Sequence, residues 1–493
     1  MLSGGFVSAL DMAHCNNSSL MCGCAILVIV GIVSGCQGVT SASSSGPSGT
    51  SQVVNHIIFM MQENRSFDAY FGKLNDYRAS AFGQPRDADD LEAIFTNPAD
   101  DGVAISSFHL GTSCIFDGTA AWAESWGAMN RFDSPNGPLL LDGFVHTAGL
   151  FAADSGRPDT QGMRAMGFYN GNDLTEPYWW ATQFSTSDRF YAPAPLQTEV
   201  VRLWAMAATS QGFIHPLSET NSHLSATTIF QLLDNAHVSW KIYSVDNGPD
   251  GLPITELRNF QPYVFSQESH IVPISQYFTD LQNGTLPQFA YIEPGFVSNR
   301  DEHPGEGTPI WMGAQFVGTL IQALIASTSW KDSVFIETFD EGGGLFDHVG
   351  PMIDGQAIQE LALGPNGQAV GPGMYSSDAT TQHVPSPDGI PPQGLRAGDP
   401  AGDFTRTGFR VPLIIVSPFA RPHFVSHTPM DYTAVLKFVE KRFNLPSLTA
   451  RDAAQPDMSE FFDFDNAPNF SPPAPAPQPT SQPCNASIAS APL

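Results

Sequence analysis

Apolar positions along this chain fall into two recurring patterns. Near-continuous runs of strand length, "NHIIFMM", "RLWAMAAT", "VSWKIYS", "PQFAYIE", "SVFIETF" and "VPLIIVS", read as strands buried on both faces, as in a parallel sheet. Between them, "SATTIFQLLDNA", "MGAQFVGTLIQALIAST" and "MDYTAVLKFVEKRFN" repeat apolar residues three and four apart, the helical period. This alternation predicts an α/β sandwich. No internal repeat is visible. Residues 350–407 form a Gly/Pro-rich excursion too long for an idle connection, which reads as a lid over a site.

The two ends depart from this pattern. "CAILVIVGIVSGCQG" is an apolar run of signal-peptide length ending in Val33-Ser34-Gly35-Cys36, which resembles a lipobox. Residues 1–20 lack Lys and Arg, with Met21 as a second candidate start. The expected division is a signal peptide over 1–36, a Gly/Ser/Thr tether over 37–51, a catalytic domain over 52–465 and an extended Pro/Ala-rich tail over 466–493. The expected location is the cell envelope, anchored by a lipid at Cys36, or the exterior. Export leaves Cys114 and Cys484 in an oxidising compartment, where a disulfide would tie the tail to the body.

Composition narrows the partners. Of 493 residues 42% are hydrophobic, enough for a large core, and 14% are charged. The net charge of −28 repels nucleic-acid phosphates and anionic membranes, so nucleic acid is not an expected partner. Nothing in the sequence indicates a nucleotide or organic cofactor or sets the oligomeric state.

Ligands of doubly wound sheets sit beyond the carboxyl ends of the strands. "HIIFMM" runs into Glu63-Asn64, and "SVFIETF" into Asp340-Glu341, then Gly342-Gly343-Gly344 and Asp347-His348. Three converging carboxylates would repel one another and raise each other's pKa, which a divalent cation relieves. Oxygen donors suit Mg²⁺, Mn²⁺ or Ca²⁺, and carboxylates also hold Zn²⁺ or iron. A nucleophile is offered by Thr209 or Ser210 after "RLWAMAA", and acid–base groups by His303 in "DEHPGEG" and by His348. "EPYWWATQF" supplies aromatics for core, for a lipid platform or for a cationic headgroup.

"HIIFMMQENRSFDAYFG", "MGFYN", "PQFAYIEPGF…DEHP", "SVFIETFDEGGGLFDHVGP", "GFRVPLIIVSPFARPHFVSHTPMDYTAVLKFVEKRFNL" and "FFDFDNAP" resemble, in this order, the bacterial phosphoesterase family of phospholipases C and respiratory-burst-inhibiting acid phosphatases. The resemblance covers roughly residues 52–465. It implies an alkaline-phosphatase-like three-layer α/β/α sandwich with a mostly parallel central sheet. It also implies one divalent metal ion held by Glu63, Asn64, Thr209, Asp340 and Glu341. Thr209 would be the nucleophile that becomes phosphothreonine, with His303 an active-site residue. Arg65, Ser66 and Asp68 would brace the turn, with Phe67, Tyr70 and Phe71 beneath it. Where many relatives carry a His this chain has Ala120, and the late Asp-His-Thr is Asp431-Tyr432-Thr433. The implied activity is phospholipase C-like ester hydrolysis, the alternatives being phosphatase action on small monoesters or phospho-ligand binding without turnover.

Overall fold

The structure, a computed structural model, describes residues 53–131, 137–219, 222–362 and 375–487. The expected signal peptide with Cys36, and the tether, lie outside the described residues. The chain separates into Met1–Ser48 and Gly49–Leu493, and the described residues all belong to the second unit.

Its centre is an eight-stranded sheet. In chain order the strands are β1 (His56–Gln62), β2 (Ser185–Ser187), β3 (Trp240–Ser244), β4 (Ile271–Pro273), β5 (Phe289–Glu293), β6 (Ser333–Phe339), β7 (Leu413–Val416) and β8 (Phe424–Ser426). They lie in the order β8-β2-β7-β6-β1-β5-β3-β4. β1 pairs in parallel with both β5 and β6, and β3 with β5 and β4. β7 alone is reversed, antiparallel to β6 and β2. Its sequence reads like its parallel neighbours because burial on both faces, not direction, makes the run continuously apolar.

Alternation along the strands feeds two helical layers. The helices that frame the sheet and its carboxyl edge are α1 (Phe67–Phe71), α2 (Thr175–Gln183), α3 (Thr198–Arg202), α4 (Trp204–Ala207), α5 (Ile229–Asn235), α6 (Ser275–Asn283), α7 (Ile310–Ile325) and α8 (Thr433–Phe443). Register puts Phe339 of β6 and Tyr243 of β3 on one face, where they meet Tyr70 of α1 and Tyr277 of α6. Phe289 and Tyr291 of β5 point the other way and meet Phe230 of α5. The expected three-layer sandwich with a mostly parallel sheet is therefore present.

Several sequence expectations change. "RLWAMAAT" is helical: its residues form the end of α3 and all of α4, which closes at Ala208 with φ 56°. Tyr178, Trp179 and Trp180 of α2 are buried core, so they offer no lipid platform. The excursion after residue 350 returns a strand pair, Ala357–Leu361 with Tyr375–Thr381. Its described residues are not among those lining the cleft at the strand ends. The tail is not loose: Cys114 and Cys484 are bonded, and residues up to 487 lie on the body.

Candidate active site

β1 and β6 are parallel neighbours, so their carboxyl ends deliver Glu63-Asn64 and Asp340-Glu341 side by side. Asn64 takes φ 60°, a left-handed conformation that asparagine tolerates better than most residues. In that conformation its N–H donates to Asp340 Oδ1 at 2.9 Å. Glu341 N–H donates to the same oxygen at 2.7 Å. Gly343 packs directly beneath: a Cβ there would stand 2.4 Å from Asn64 O, and its φ is +66°. Its N–H donates to Glu341 Oε2. The glycine run thus lets the two ligand-bearing turns interlock.

Facing these turns is a cleft of about 310 Å³ lined by Asn64, Asp117, Ala120, Thr198, His303 and Glu341 among others. Thr198 opens α3, and its Oγ1 donates to Asn64 Oδ1 at 3.2 Å. His303 Nε2 lies 2.9 Å from Asn64 Nδ2, 3.7 Å from Asp117 Oδ1 and 3.9 Å from Glu63 Oε2, with the side chain 31% exposed. Behind them, fully buried Arg202 sits 3.3 Å from both Glu63 Oε1 and Asp340 Oδ2 and donates to the carbonyls of Met61 and Gln62.

One guanidinium does not offset this many carboxylates. Burial raises the Glu63 carboxyl well above its ordinary 4.5, Asp340 adds to the rise, and Arg202 opposes it. Burial and Asp340 raise Glu341 likewise. Burial also raises Asp117 against the pull of His303. Glu63 Oε1 and Asp117 Oδ1 are buried without a hydrogen-bond partner. Crowded, under-compensated oxygen donors such as those of Glu63, Asn64, Asp340 and Glu341 are ones a hard divalent cation would relieve.

Thr209 is not among them. Its Oγ1 donates to Asp388 Oδ2 and accepts from Gln211 N–H, both at 2.8 Å. It lies past the far end of the α3–α4 stretch from Thr198 and is not among the residues lining the cleft. Ser210 Oγ is spent on Phe213 O. Of the threonines lining the cleft, Thr119 and Thr198, the one bonded to Asn64 is Thr198, which sequence reading missed because the strand assignment hid the helix it begins. Asp117 and Arg202 were also missed; a lone Asp in a loop and an Arg inside an apolar run carry no motif.

His348 is displaced as well. Its Nδ1 meets Asp68 Oδ2 at 2.7 Å and its Nε2 meets Asp89 Oδ1 at 2.9 Å, while Phe95 stacks on the ring. Burial alone would lower its pKa, but Asp68 and Asp89 outweigh this and push it up to about 10. Asp68, Asp347 and His348 bring ligand atoms within 4.8 Å of one another, a group able to hold a metal. Arg410 also supplies positive charge there, its Nη2 2.7 Å from Asp347 and 2.9 Å from Asp68. This network, with Ser66 Oγ donating to Phe346 O, clamps the turn after Asn64 to the loop after Glu341. Removing one partner of such a buried set costs several kcal/mol, so His348→Ala is expected to lower unfolding free energy in urea by about 3 kcal/mol. Because the folded pKa is raised, the contribution is complete below the ordinary 6.5 and is lost as pH rises through about 10. The folded variant should keep its turnover number.

A model of the phosphoesterase family matches residues 54–446. Phospholipase C B of Mycobacterium tuberculosis is 28% identical over 462 residues, covering 85% of this chain and 80% of that protein. A non-hemolytic phospholipase C of Burkholderia pseudomallei is 28% identical over 84% of this chain, which spans 60% of its length. Non-specific phospholipase C3 of Arabidopsis thaliana is 25% identical over 83% of this chain and 73% of its own. Among the described residues no helix is long and apolar enough to cross a membrane.

Proposed function

Since this chain belongs to the phosphoesterase family and is a phosphoester hydrolase, we propose that it acts as a phospholipase C-like phosphodiesterase with Thr198 as nucleophile. The observation that carries this reading is the meeting of Thr198, Asn64 and His303 in one cleft beside the strand-end carboxylates. Glu63, Asn64, Asp340 and Glu341, with the Thr198 hydroxyl, would hold a divalent cation, whose chemistry is to acidify a hydroxyl and neutralise phosphoryl charge.

The chain's own residues do the rest. Asn64 holds the Thr198 hydroxyl through its side-chain oxygen and turns its amide nitrogen toward His303. As Thr198 Oγ1 attacks phosphorus, forming an O–P bond while the bond to the leaving alcohol breaks, its hydroxyl proton passes through cleft water to His303 Nε2, the unprotonated ring nitrogen that accepts from Asn64 Nδ2. His303 then hands that proton to the alcohol oxygen. Water then breaks the Thr198–phosphate bond and releases the phosphorylated headgroup. Catalysis of this kind is mostly positioning and electrostatics.

The relatives' names favour a phospholipid substrate. Ala120 in the cleft, where the family resemblance expects a histidine, leaves the site one phosphate-contacting group poorer. The Cys114–Cys484 bond supports export, and a lipid at Cys36 belongs to the same reading. Assays with p-nitrophenyl phosphorylcholine, p-nitrophenyl phosphate and phosphatidylcholine vesicles test it. Hydrolysis of the diesters at a kcat/KM at least about tenfold above the monoester, a gap of about 1.4 kcal/mol, is expected. Monoester turnover alone would make the protein a phosphatase.

A further inference from the structure

One wall of the cleft, Asp117 to Ala120, continues directly from a segment held by the C-terminal tail. Ser113 N–H donates to Pro483 O at 2.8 Å and Thr112 Oγ1 to the same oxygen at 3.1 Å. Asn485 N–H donates back to Thr112 Oγ1 at 2.9 Å. Between these contacts runs the Cys114–Cys484 bond. On the other side of the wall segment, Ser113 O accepts from Ile310 N–H, the first residue of α7 and close in sequence to His303.

The tail itself is a strap with few anchors. Asn469 N–H reaches Pro418 O, and Trp330 Nε1 reaches Phe470 O. Buried Gln478 bonds to Glu176 and Asp173, and Gln482 Nε2 to Asp173. Most residues between these points are exposed, so little apolar burial holds the strap down. The covalent bond is its strongest attachment, and its two cysteines differ: residue Cys114 is buried and residue Cys484 exposed. Exposed disulfides are the ones that exchange readily.

We propose that the Cys114–Cys484 bond positions the Asp117–Ala120 wall and makes substrate binding sensitive to thiol reductants. A dithiol's thiolate attacks the sulfur of Cys484, the residue open to solvent, and Cys114 leaves as a thiolate and takes up a proton. The second thiol then attacks the mixed disulfide, freeing Cys484 as a thiol and leaving the reductant as a disulfide. Two electrons pass from one dithiol to the one protein disulfide. The released strap no longer fixes residues 112–114, and the wall loosens while Thr198 and the strand-end carboxylates stay in place.

The experiment uses the full-length, cation-loaded protein with and without dithiothreitol, after mass spectrometry confirms the bond is open. Reduction is expected to raise KM for p-nitrophenyl phosphorylcholine about three- to tenfold with kcat within about twofold, the signature of lost binding rather than lost chemistry. Amides of 112–120 should exchange hydrogen at least about tenfold faster, and oxidised glutathione should restore both. Cys114→Ser/Cys484→Ser should match the reduced protein and ignore dithiothreitol, which excludes metal chelation by the reductant. Unchanged KM and unchanged exchange in the reduced wild-type protein would overturn the proposal. Because the effect on KM rests on the hydrolase reading, the exchange data decide the strap independently should no substrate be turned over.

Discussion

Thr198→Ala is expected to lower kcat/KM on p-nitrophenyl phosphorylcholine by at least about 10³-fold, since an attacking group removed from a covalent mechanism leaves only binding and electrostatics. Thr198→Ser should retain a substantial share, because it keeps the hydroxyl that Asn64 Oδ1 accepts from. Thr209→Ala is the contrasting variant. It loses a hydrogen bond to Asp388, worth about 1 kcal/mol of stability, and should leave kcat/KM within about threefold. Acid-quenched turnover followed by mass spectrometry should find phosphate on the peptide containing Thr198. Phosphate on Thr209, or a Thr198→Ala protein at the wild-type rate, would remove the assigned nucleophile.

The second large effect concerns the cation. Chelation is expected to lower kcat/KM at least about 100-fold, with recovery on adding back a divalent ion, if the proposed cation supplies the chemistry of a metal-assisted hydrolase. Stability should follow with a definite pH dependence. Glu63 and Glu341 have folded pKa values raised above 4.5. Without a cation, each therefore destabilises the fold increasingly as pH rises past 4.5 towards its raised value. Cation binding runs the opposite way, because the ligands bind as carboxylates. The gain in melting temperature from the same free cation should thus be larger near about pH 8 than near about pH 5. At a hundred times Kd the ion would add about 2.7 kcal/mol. Calorimetry at the two pH values, with and without chelator, measures this, and an equal gain at both would refute the carboxylate ligand set. Glu341→Gln should abolish activity while losing less stability than wild type on chelation, since it removes one of the repelling charges.

Part of this site was legible in the sequence because strand burial and strand ends leave local marks. β1 and β6 announce themselves as near-continuous apolar runs, and a polar pair stands at the end of each. Parallel pairing then brings Glu63-Asn64 beside Asp340-Glu341 without further information. His303 was legible for a similar reason, as a histidine in the loop after β5. The failures cluster where local pattern is ambiguous. A short apolar run fits a buried helix as well as a strand; "RLWAMAAT", with its alanines and methionine, is helix. That single ambiguity drew the sequence reading to Thr209 instead of Thr198, the threonine that lines the cleft and bonds Asn64. His348 looked like a second site histidine because it follows Asp347, but only three-dimensional packing supplies Asp68, Asp89 and Arg410 around it.

By itself, then, the chain's order of residues determined five strands of the sheet, β1, β3, β5, β6 and β7, the alternation of layers and the oxygen donors at the sheet's carboxyl edge, all consequences of short-range burial patterns. Tertiary structure alone decided which hydroxyl faces those donors, which histidine is buried among carboxylates, and that Arg202 and Asp117 join the site. Those choices depend on contacts between segments far apart in the chain, and no local period or spacing encodes the distance between them.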